Sequence, residues 1–453
     1  MSLIHLLAKI WHVRKAALLS PDEIQALQEA RFKKLLRHVL KNSRFYRDYY
    51  GDHGITMEKA DRVSLSDLPV INKKIMMEHY DDVVCDPALK REEIEAFISN
   101  PENQRKKYKG LYQVIHTSGS TGRVGIFVYG PDDWDWLKAI VLTRVSKSKI
   151  RPFKKTRLAF IGATDGHYAG VSLATDAPRW LFDILELSIN RPLEEWVQKL
   201  QDFQPDVLSG YASGMQILAS LQKKGSITIR PERILCSADP LFPQIRKSVR
   251  EAFGVDPVNF YAASESVGMA AECDVHDGLH LFTDWHAFEV TNADYKSVPA
   301  GQPGKLVLTN LYNYTQPLLR YDMNDEVIES TDPCTCGWQF PRIQSVAGRQ
   351  EDFLWFEKPN GSKEFIHPSM IVEFFVPGLQ KLQIVQTGPA SFVMNAVISG
   401  DERETAPLIL KRMDEILRGK GLEGIVRYEI KPVPDIPNDP KTGKFRLIIP
   451  FKP

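Results

Sequence analysis

Ile115-His-Thr-Ser-Gly-Ser-Thr-Gly-Arg-Val-Gly-Ile-Phe-Val-Tyr129 sets seven consecutive small or polar residues, His116 to Gly122, between two apolar, β-branched segments. That is the pattern of strand, loop, strand. The loop offers backbone N–H groups that no bulky side chain obstructs, and hydroxyls from Thr117, Ser118, Ser120 and Thr121. Gly119 and Gly122 allow positive backbone angles that turn successive N–H groups into one concavity, a ready anion site. A plain surface turn is the competing reading. A Walker-type phosphate loop is excluded, because no Lys-Ser/Thr follows Gly122 and the next segment has strand character. The glycines at 119, 122 and 125 also lack the spacing of the dinucleotide fingerprint.

The 453 residues around this loop exceed one ordinary core, so two or more domains are expected. Hydrophobic content of 43% and charged content of 25% are those of a globular protein. A formal net charge of +1 argues against a general nucleic-acid binder, which needs a basic surface to meet phosphates. No stretch approaches 18 uninterrupted apolar residues, so no transmembrane segment is expected. Residues 1–19 are apolar at helical spacing but carry Lys9, Arg14 and Lys15. They predict an amphipathic helix packed on the body, with a membrane-surface contact as the alternative, rather than a signal peptide. Five cysteines do not make a disulfide framework, and a cytoplasmic location is expected.

Residues 21–50 show helical periodicity, whereas 92–110 are polar and charged and predict a loose approach to the 115–129 loop. From 131 to 260, helical patterns alternate with short apolar runs: strands at Thr156–Gly162, Val207–Leu208, Arg233–Ser237 and Val258–Tyr261, and helices at Pro192–Phe203 and Phe242–Phe253. That alternation implies parallel strands covered by helices. Strand signals dominate from 279 to 330. A break follows at Ala347-Gly-Arg-Gln-Glu-Asp352, and the last hundred or so residues form a fresh mixture of strands and one strong helix. Trp134, Trp136 and Trp180 read as core. The fold class is α/β: a large multi-lobed N-terminal domain with mostly parallel sheets (1–347), a hinge (348–352) and a small α+β domain (353–453).

Four further segments carry polar chemistry: Asn259-Phe-Tyr-Ala-Ala-Ser-Glu265, Leu318-Leu-Arg-Tyr-Asp-Met-Asn-Asp325, Gly348-Arg349 and Asp439-Pro-Lys-Thr-Gly-Lys-Phe-Arg446. Singly, each has a structural reading: Tyr261 in a core, Asp325 capping a turn, Lys444 as a solvated loop charge. In this order and at these distances they resemble the adenylate-forming superfamily of acyl-coenzyme A synthetases, peptide-synthetase adenylation domains and luciferases, in the branch of phenylacetate–coenzyme A ligase. The resemblance runs from about residue 30 to the end.

The resemblance implies roles residue by residue. Thr117, Ser118, Gly119, Ser120, Thr121 and Gly122 match the loop around the ATP phosphates. Tyr261 matches the aromatic that stacks on adenine, with Ser264 in place of the usual threonine before Glu265, the magnesium-holding carboxylate. Asp325 matches the acid that grips the ribose hydroxyls, with Arg349 close by. Glu351 stands at the hinge where aspartate is usual, and Lys444 matches the lysine that bridges carboxylate and α-phosphate. Ser237, Ala238 and Asp239 fall where the family lines the adenine and acyl site, and His116, His167 and Tyr168 are candidates for substrate contact. The implied activity is ATP-dependent activation of a small carboxylic acid, aryl or arylalkyl, through an acyl-adenylate and onto coenzyme A. The rival readings are transfer to an amine or to a separate carrier protein, and an inactive nucleotide-binding relative. A small domain that rotates between half-reactions and a possible homodimer are implied as well.

Cys273, Cys334 and Cys336 form a second cluster, with His276 and His280 near in sequence. Cys-x-Cys before Gly337 is a tight turn that presents two thiolates, and a distant Cys with a His completes a Cys₃His zinc site; free cysteines are the alternative. Some members of the branch carry a structural zinc, and His280 matches their Gly-Leu-His segment, so the resemblance favours His280 over His276 as the fourth ligand.

Overall fold

The fold is seen in a computed structural model, in which residues 3–117, 124–146, 154–346, 354–366, 368–372, 374, 376–437 and 446–451 are described. The loop at 115–129 has the expected frame: β1 (Gln113–His116) pairs antiparallel with β2 (Ile126–Tyr129). Beyond it come β3 (Thr156–Gly162), β4 (Phe182–Ser188), β5 (Val207–Tyr211), β6 (Arg233–Ser237) and β7 (Val258–Ala263), all parallel to one another. The connecting helices show why. Leu193–Phe203 turns Trp196 and Leu200 inward and ends on Gln204 in a left-handed conformation. Pro243–Phe253 opens on a proline and stops at Gly254, φ +71°. Each crossover returns the chain to the same sheet end, the geometry of βαβ units. β5 runs so close to β3 that a Cβ on Gly210 (φ +141°) would lie 1.9 Å from the Ile161 carbonyl oxygen, so only glycine serves there.

After β7 the helices cease and short turns take over. Strands β8 (Ser266–Ala271), β9 (Leu279–Leu281), β10 (His286–Thr291), β11 (Pro303–Asn310), β12 (Tyr321–Glu329) and β13 (Arg342–Val346) pair antiparallel. Among the described residues the sheet has eleven strands, in the order β10-β11-β12-β13-β9-β8-β7-β6-β5-β3-β4. The sheet is therefore mixed rather than mostly parallel. Connections of two to a dozen residues admit hairpins but not helical crossovers. The Leu318–Asp325 acid motif lies largely on β12 rather than in a loop.

The first helices clasp this sheet. Leu3–Ala16 buries Leu6, Val13 and Ala16, as the amphipathic reading anticipated. The 21–50 periodicity proves to be two helices, Pro21–Asn42 and Arg44–Gly51, broken at Ser43, whose hydroxyl accepts from Tyr46 N and donates to the Asp82 carbonyl. Residues 92–110 are more ordered than their polarity predicts: Arg91–Ser99 is a helix that buries Ile94. Trp134 is buried, but Trp180 is 48% exposed and not core, because it lies in a turn before β4.

From Leu354 the chain forms β14 (Leu354–Glu357) paired with β15 (Lys363–Ile366). It then adds β16 (Leu379–Gly388), β17 (Ser391–Ile398), β18 (Arg427–Pro432) and β19 (Ile448–Ile449) in the order β18-β17-β16-β19. The helix Glu402–Gly419 links the parallel β17 and β18 and buries Ile409, Met413 and Leu417. This region shares an apolar cluster with the β3–β6 layer, where Phe365 meets Trp196 edge-on at 6.0 Å. The fully buried Lys420 ammonium donates to the carbonyls of Ile189 (3.0 Å) and Arg191 (2.9 Å) and pairs with Glu364 at 2.8 Å. Glu364 in turn accepts from Leu193 N, at the start of a β3–β6-layer helix. Burial pushes the Lys420 pKa down, opposed by Glu364.

Candidate active site

A cavity of about 1290 Å³ lies where β1, β6, β7 and β12 converge, with Trp355, Pro368 and Pro450 of the C-terminal region on its border. The base of the 115–129 loop forms one wall. Thr117 N donates to the Gly125 carbonyl (2.9 Å) and Gly125 N returns a bond to Thr117 Oγ1 (2.8 Å), so the hairpin is tied shut below the loop. Ser118, Gly119, Ser120, Thr121 and Gly122 lie outside the described residues, as do Arg349, Glu351 and Lys444.

Glu265 sits in the two-residue turn between β7 and β8, where Ser264 accepts through its carbonyl from Tyr129 Oη at 2.9 Å. Both line the cavity, with Asp325 and Tyr321. Tyr321 Oη donates to Glu265 Oε1 at 3.3 Å, and the Tyr261 hydroxyl donates to Asp325. Burial pushes both carboxyl pKa values up; Lys73 opposes the rise in each case. Glu265, a desolvated carboxyl group facing the cavity, is an oxygen donor of the kind a hard divalent cation takes. Tyr261, whose hydroxyl is spent on Asp325, is not among the lining residues.

Lys73 was not singled out by the sequence. It opens the helix Lys73–Glu78, whose start is capped by the Asn72 side chain accepting from Ile75 N at 3.0 Å. Its Cε lies 3.4 Å from where a Cβ on Gly125 would stand, so the side chain lies against the loop's base, and its charge opposes the rise at both carboxyl groups. An asparagine before two lysines signals a helix start, but no local pattern joins residue 73 to residues 265 and 325.

Ser237, Ala238 and Asp239 line the opposite wall. Ala238 is left-handed (φ +70°), and this turn carries the Asp239 carboxylate to the backbone N–H groups of Ala212 and Ser213, at the start of the helix Ala212–Lys223. Burial nevertheless pushes the Asp239 pKa up to about 6, opposed by those hydrogen bonds. His116 and Tyr168 line the cavity with their rings 4.6 Å apart. Both imidazole nitrogens of His116 are committed: Nε2 accepts from His167 N (3.3 Å), and Nδ1–H donates to the Thr117 carbonyl (3.2 Å). What it offers a ligand is a neutral ring face. His167 does not reach the cavity; it packs against Phe97, and burial pushes its pKa down to about 4.

The second cluster also assembles. One ligand atom each from Cys273, His280, Cys334 and Cys336 lies within 4.8 Å of all the others. Cys273 and Cys334 Sγ are 3.6 Å apart, and Cys336 Sγ is 3.4 Å from His280 Nε2. Tetrahedral zinc with bonds of about 2.0–2.3 Å sets ligand separations of about 3.5–3.8 Å, close to these two. His280 Nδ1 meets the Phe340 carbonyl at 3.1 Å, which aims Nε2 at the thiols. His276 turns elsewhere, to Glu272 and Arg246.

No family model matches the chain. It is 29% identical over 344 residues to the phenylacetate–coenzyme A ligase of Thermus thermophilus, covering 74% of this chain and 72% of that protein. The chain is a distant homologue of the phenylacetate–coenzyme A ligases. It is also 23% identical over 403 residues to protein CapK of Staphylococcus aureus, covering 84% and 80% of the two. The fold is shared with a solved 2-hydroxyisobutyryl-CoA ligase in complex with 2-HIB-AMP and CoA, at a TM-score of 0.66 and 20% identity over 96% of this chain and 91% of that one. In this homologue of the phenylacetate–coenzyme A ligases, Thr117, Glu265 and Asp325 line one cavity.

Proposed function

We propose that the protein is an ATP-dependent carboxylate–coenzyme A ligase that works through an acyl-adenylate. The observation that carries this reading is the convergence of Lys73, Thr117, Glu265 and Asp325 on one cavity, beside an apolar chamber. In the first half-reaction a carboxylate oxygen attacks the α-phosphorus of ATP, and the bond to pyrophosphate breaks. Anion repulsion is the barrier, and preorganised cations and N–H groups lower it. Thr117–Gly122 would cradle the phosphates, Asp325 with Arg349 would hold the ribose, Tyr261 would back the adenine, and Lys444 would bridge acid and α-phosphate. Glu265 would hold the magnesium, which supplies charge neutralisation to the phosphate oxygens. In the second half-reaction the coenzyme A sulfur attacks the acyl carbonyl and AMP departs.

The names of the homologues make an aryl or arylalkyl acid the starting expectation. The reading carries with it a division at 348–352, Glu351 in the hinge, a structural zinc on Cys273, His280, Cys334 and Cys336, and a cytoplasmic location; it requires neither a homodimer nor a carrier protein. Among the described residues no helix is long and apolar enough to cross a membrane. The test is ATP–pyrophosphate exchange over a panel of acids, beside Lys444→Ala. Acid-dependent exchange that collapses in the variant supports adenylation, and AMP release on adding coenzyme A, rather than an amine or a carrier, supports the ligase. ATP binding without exchange for any acid would sink it.

A further inference from the structure

The helix Leu3–Ala16 has two unlike sides. Its inner side is fixed to the body. Leu6, Val13 and Ala16 are buried, His12 packs edge-on against Trp136 at 5.7 Å and Trp285 at 6.2 Å, and the Val13 carbonyl accepts from the Arg144 guanidinium at 3.2 Å. Lys9 pairs with the Asp132 carboxylate and donates to the Asp132 carbonyl at 2.9 Å. The outer side presents Leu7 and Trp11, four residues and so one turn apart, with Arg14 and Lys15 one turn further on. Leu18 follows in the turn that ends the helix, where its N–H donates to the Lys15 carbonyl at 3.1 Å. Trp11 is 63% exposed and Leu18 86%, the two most exposed large apolar side chains among the described residues, and Leu7 is 40% exposed. The Lys15 ammonium stands 5.5 Å from the Trp11 ring centroid.

Single exposed apolar residues are ordinary, but three of the largest gathered within one short segment beside cations mark a binding face. The charge says for what. Residues 1–21 contain no Asp or Glu, in a chain whose 58 basic and 57 acidic residues otherwise balance. Lys9 is matched by Asp132, whereas Arg14 and Lys15 form no ion pair among the described residues. The first acids, Asp22 and Glu23, open the next helix, where the Glu23 carboxylate accepts from the Ser20 N–H and hydroxyl. A second copy does not complement this face, because turned on itself it sets Arg14 and Lys15 against their own kind. Nor do three side chains approach the ~800 Å² that each partner gives to a stable protein interface. An anionic bilayer surface meets both features: its headgroups take the cations, tryptophan settles at headgroup level and leucine enters the acyl boundary. At 14 residues, about 21 Å, the helix is too short to span the hydrocarbon core and would lie along it.

We propose that the outer side of the helix Leu3–Ala16, with Leu18, docks the protein reversibly on bilayers that carry anionic lipid. The inference goes beyond the adenylation reading and does not depend on it.

The test is sedimentation of the full chain with vesicles of phosphatidylcholine alone and of phosphatidylcholine and phosphatidylglycerol in equal parts. Expected is binding to the anionic vesicles that is at least about tenfold tighter than to the neutral ones and is lost as salt rises. Arg14→Gln with Lys15→Gln lowers anionic-vesicle binding by about fivefold per cation removed, and Trp11→Ser with Leu18→Ser by about tenfold or more. Trp180→Ser removes an exposed tryptophan elsewhere and binds as wild type. Thermal unfolding midpoints equal to that of wild type confirm the fold of each variant. Equal binding to both vesicle types, binding unchanged by the Trp11 and Leu18 substitutions, or no binding to either vesicle overturns the proposal. So does a wild type that sizes as an oligomer and a Trp11→Ser variant that sizes as a monomer, since the face then belongs to a second copy.

Discussion

Lys73 does at residue scale what no motif announces. Its ammonium is the cation that counters burial at both Glu265 and Asp325. Lys73→Ala is expected to lower acid-dependent exchange by about 10²–10³, the usual cost of one preorganised donor. Because the lysine holds both carboxyl pKa values down, its loss also moves the acid limb of the pH–rate profile to higher pH; an unmoved limb would show that it acts elsewhere. Asp239 titrates near 6 in the fold against 3.8 in the open chain. Between those values the folded chain keeps a proton that the unfolded chain has released, so this group's contribution to stability declines as pH rises from about 4 to 6. Urea midpoints of wild type and Asp239→Asn, taken at pH 4 and pH 7, should shift relative to each other in the variant's favour at the higher pH. Parallel midpoints would contradict the assignment. Glu265 and Asp325 were legible because each sits inside a run whose neighbours mark it. Lys73 was not, since helix capping fixes its local structure and only the tertiary fold brings it to the carboxylates.

At the scale of elements, the parallel strands β3, β5 and β6 were legible because each is an apolar run followed by a helix, and β7 because it follows the last of those helices. The helix Arg91–Ser99 was not, because four of its nine residues are charged and only Ile94 is fully buried. The break at Ser43 was hidden too: its two flanking helices share one periodicity, and a single serine caps both. The C-terminal sheet is joined to the β3–β6 layer through Lys420 and Glu364, a contact invisible in sequence. Lys420→Met should destabilise the protein by about 3–5 kcal/mol, since it leaves the buried Glu364 carboxylate only the longer ion pair with Lys358 at 3.6 Å. Adding Glu364→Gln should restore part of that loss in a denaturant titration, and a double variant no better than the single one would argue against pairing. The segments that carry Cys273, His280, Cys334 and Cys336 yield a separate expectation. The purified protein should hold one zinc per chain by elemental analysis, and Cys334→Ser should lose the metal together with thermal stability.

The whole molecule is stitched across its length. Gln28 donates to the carbonyls of Thr283 and His286, Tyr46 to that of Pro317, and Cys85 N to that of Thr315, while Ile71 bridges Tyr321. The α/β class was legible from the alternation of patterns, but not this clasp, which joins residues far apart along the chain. The first ninety or so residues therefore leave the ribosome without their partners. Tyr46 and Pro317 are 271 residues apart, and at about 5–20 residues per second the nascent helices wait roughly a quarter of a minute to a minute for the strands that cover them. During that interval Leu35, Leu36, Tyr46 and Tyr50, all fully buried in the finished protein, face solvent or a chaperone. A chain arrested before residue 280 should stay protease-sensitive throughout its amino-terminal helices, and one extended past residue 330 should not.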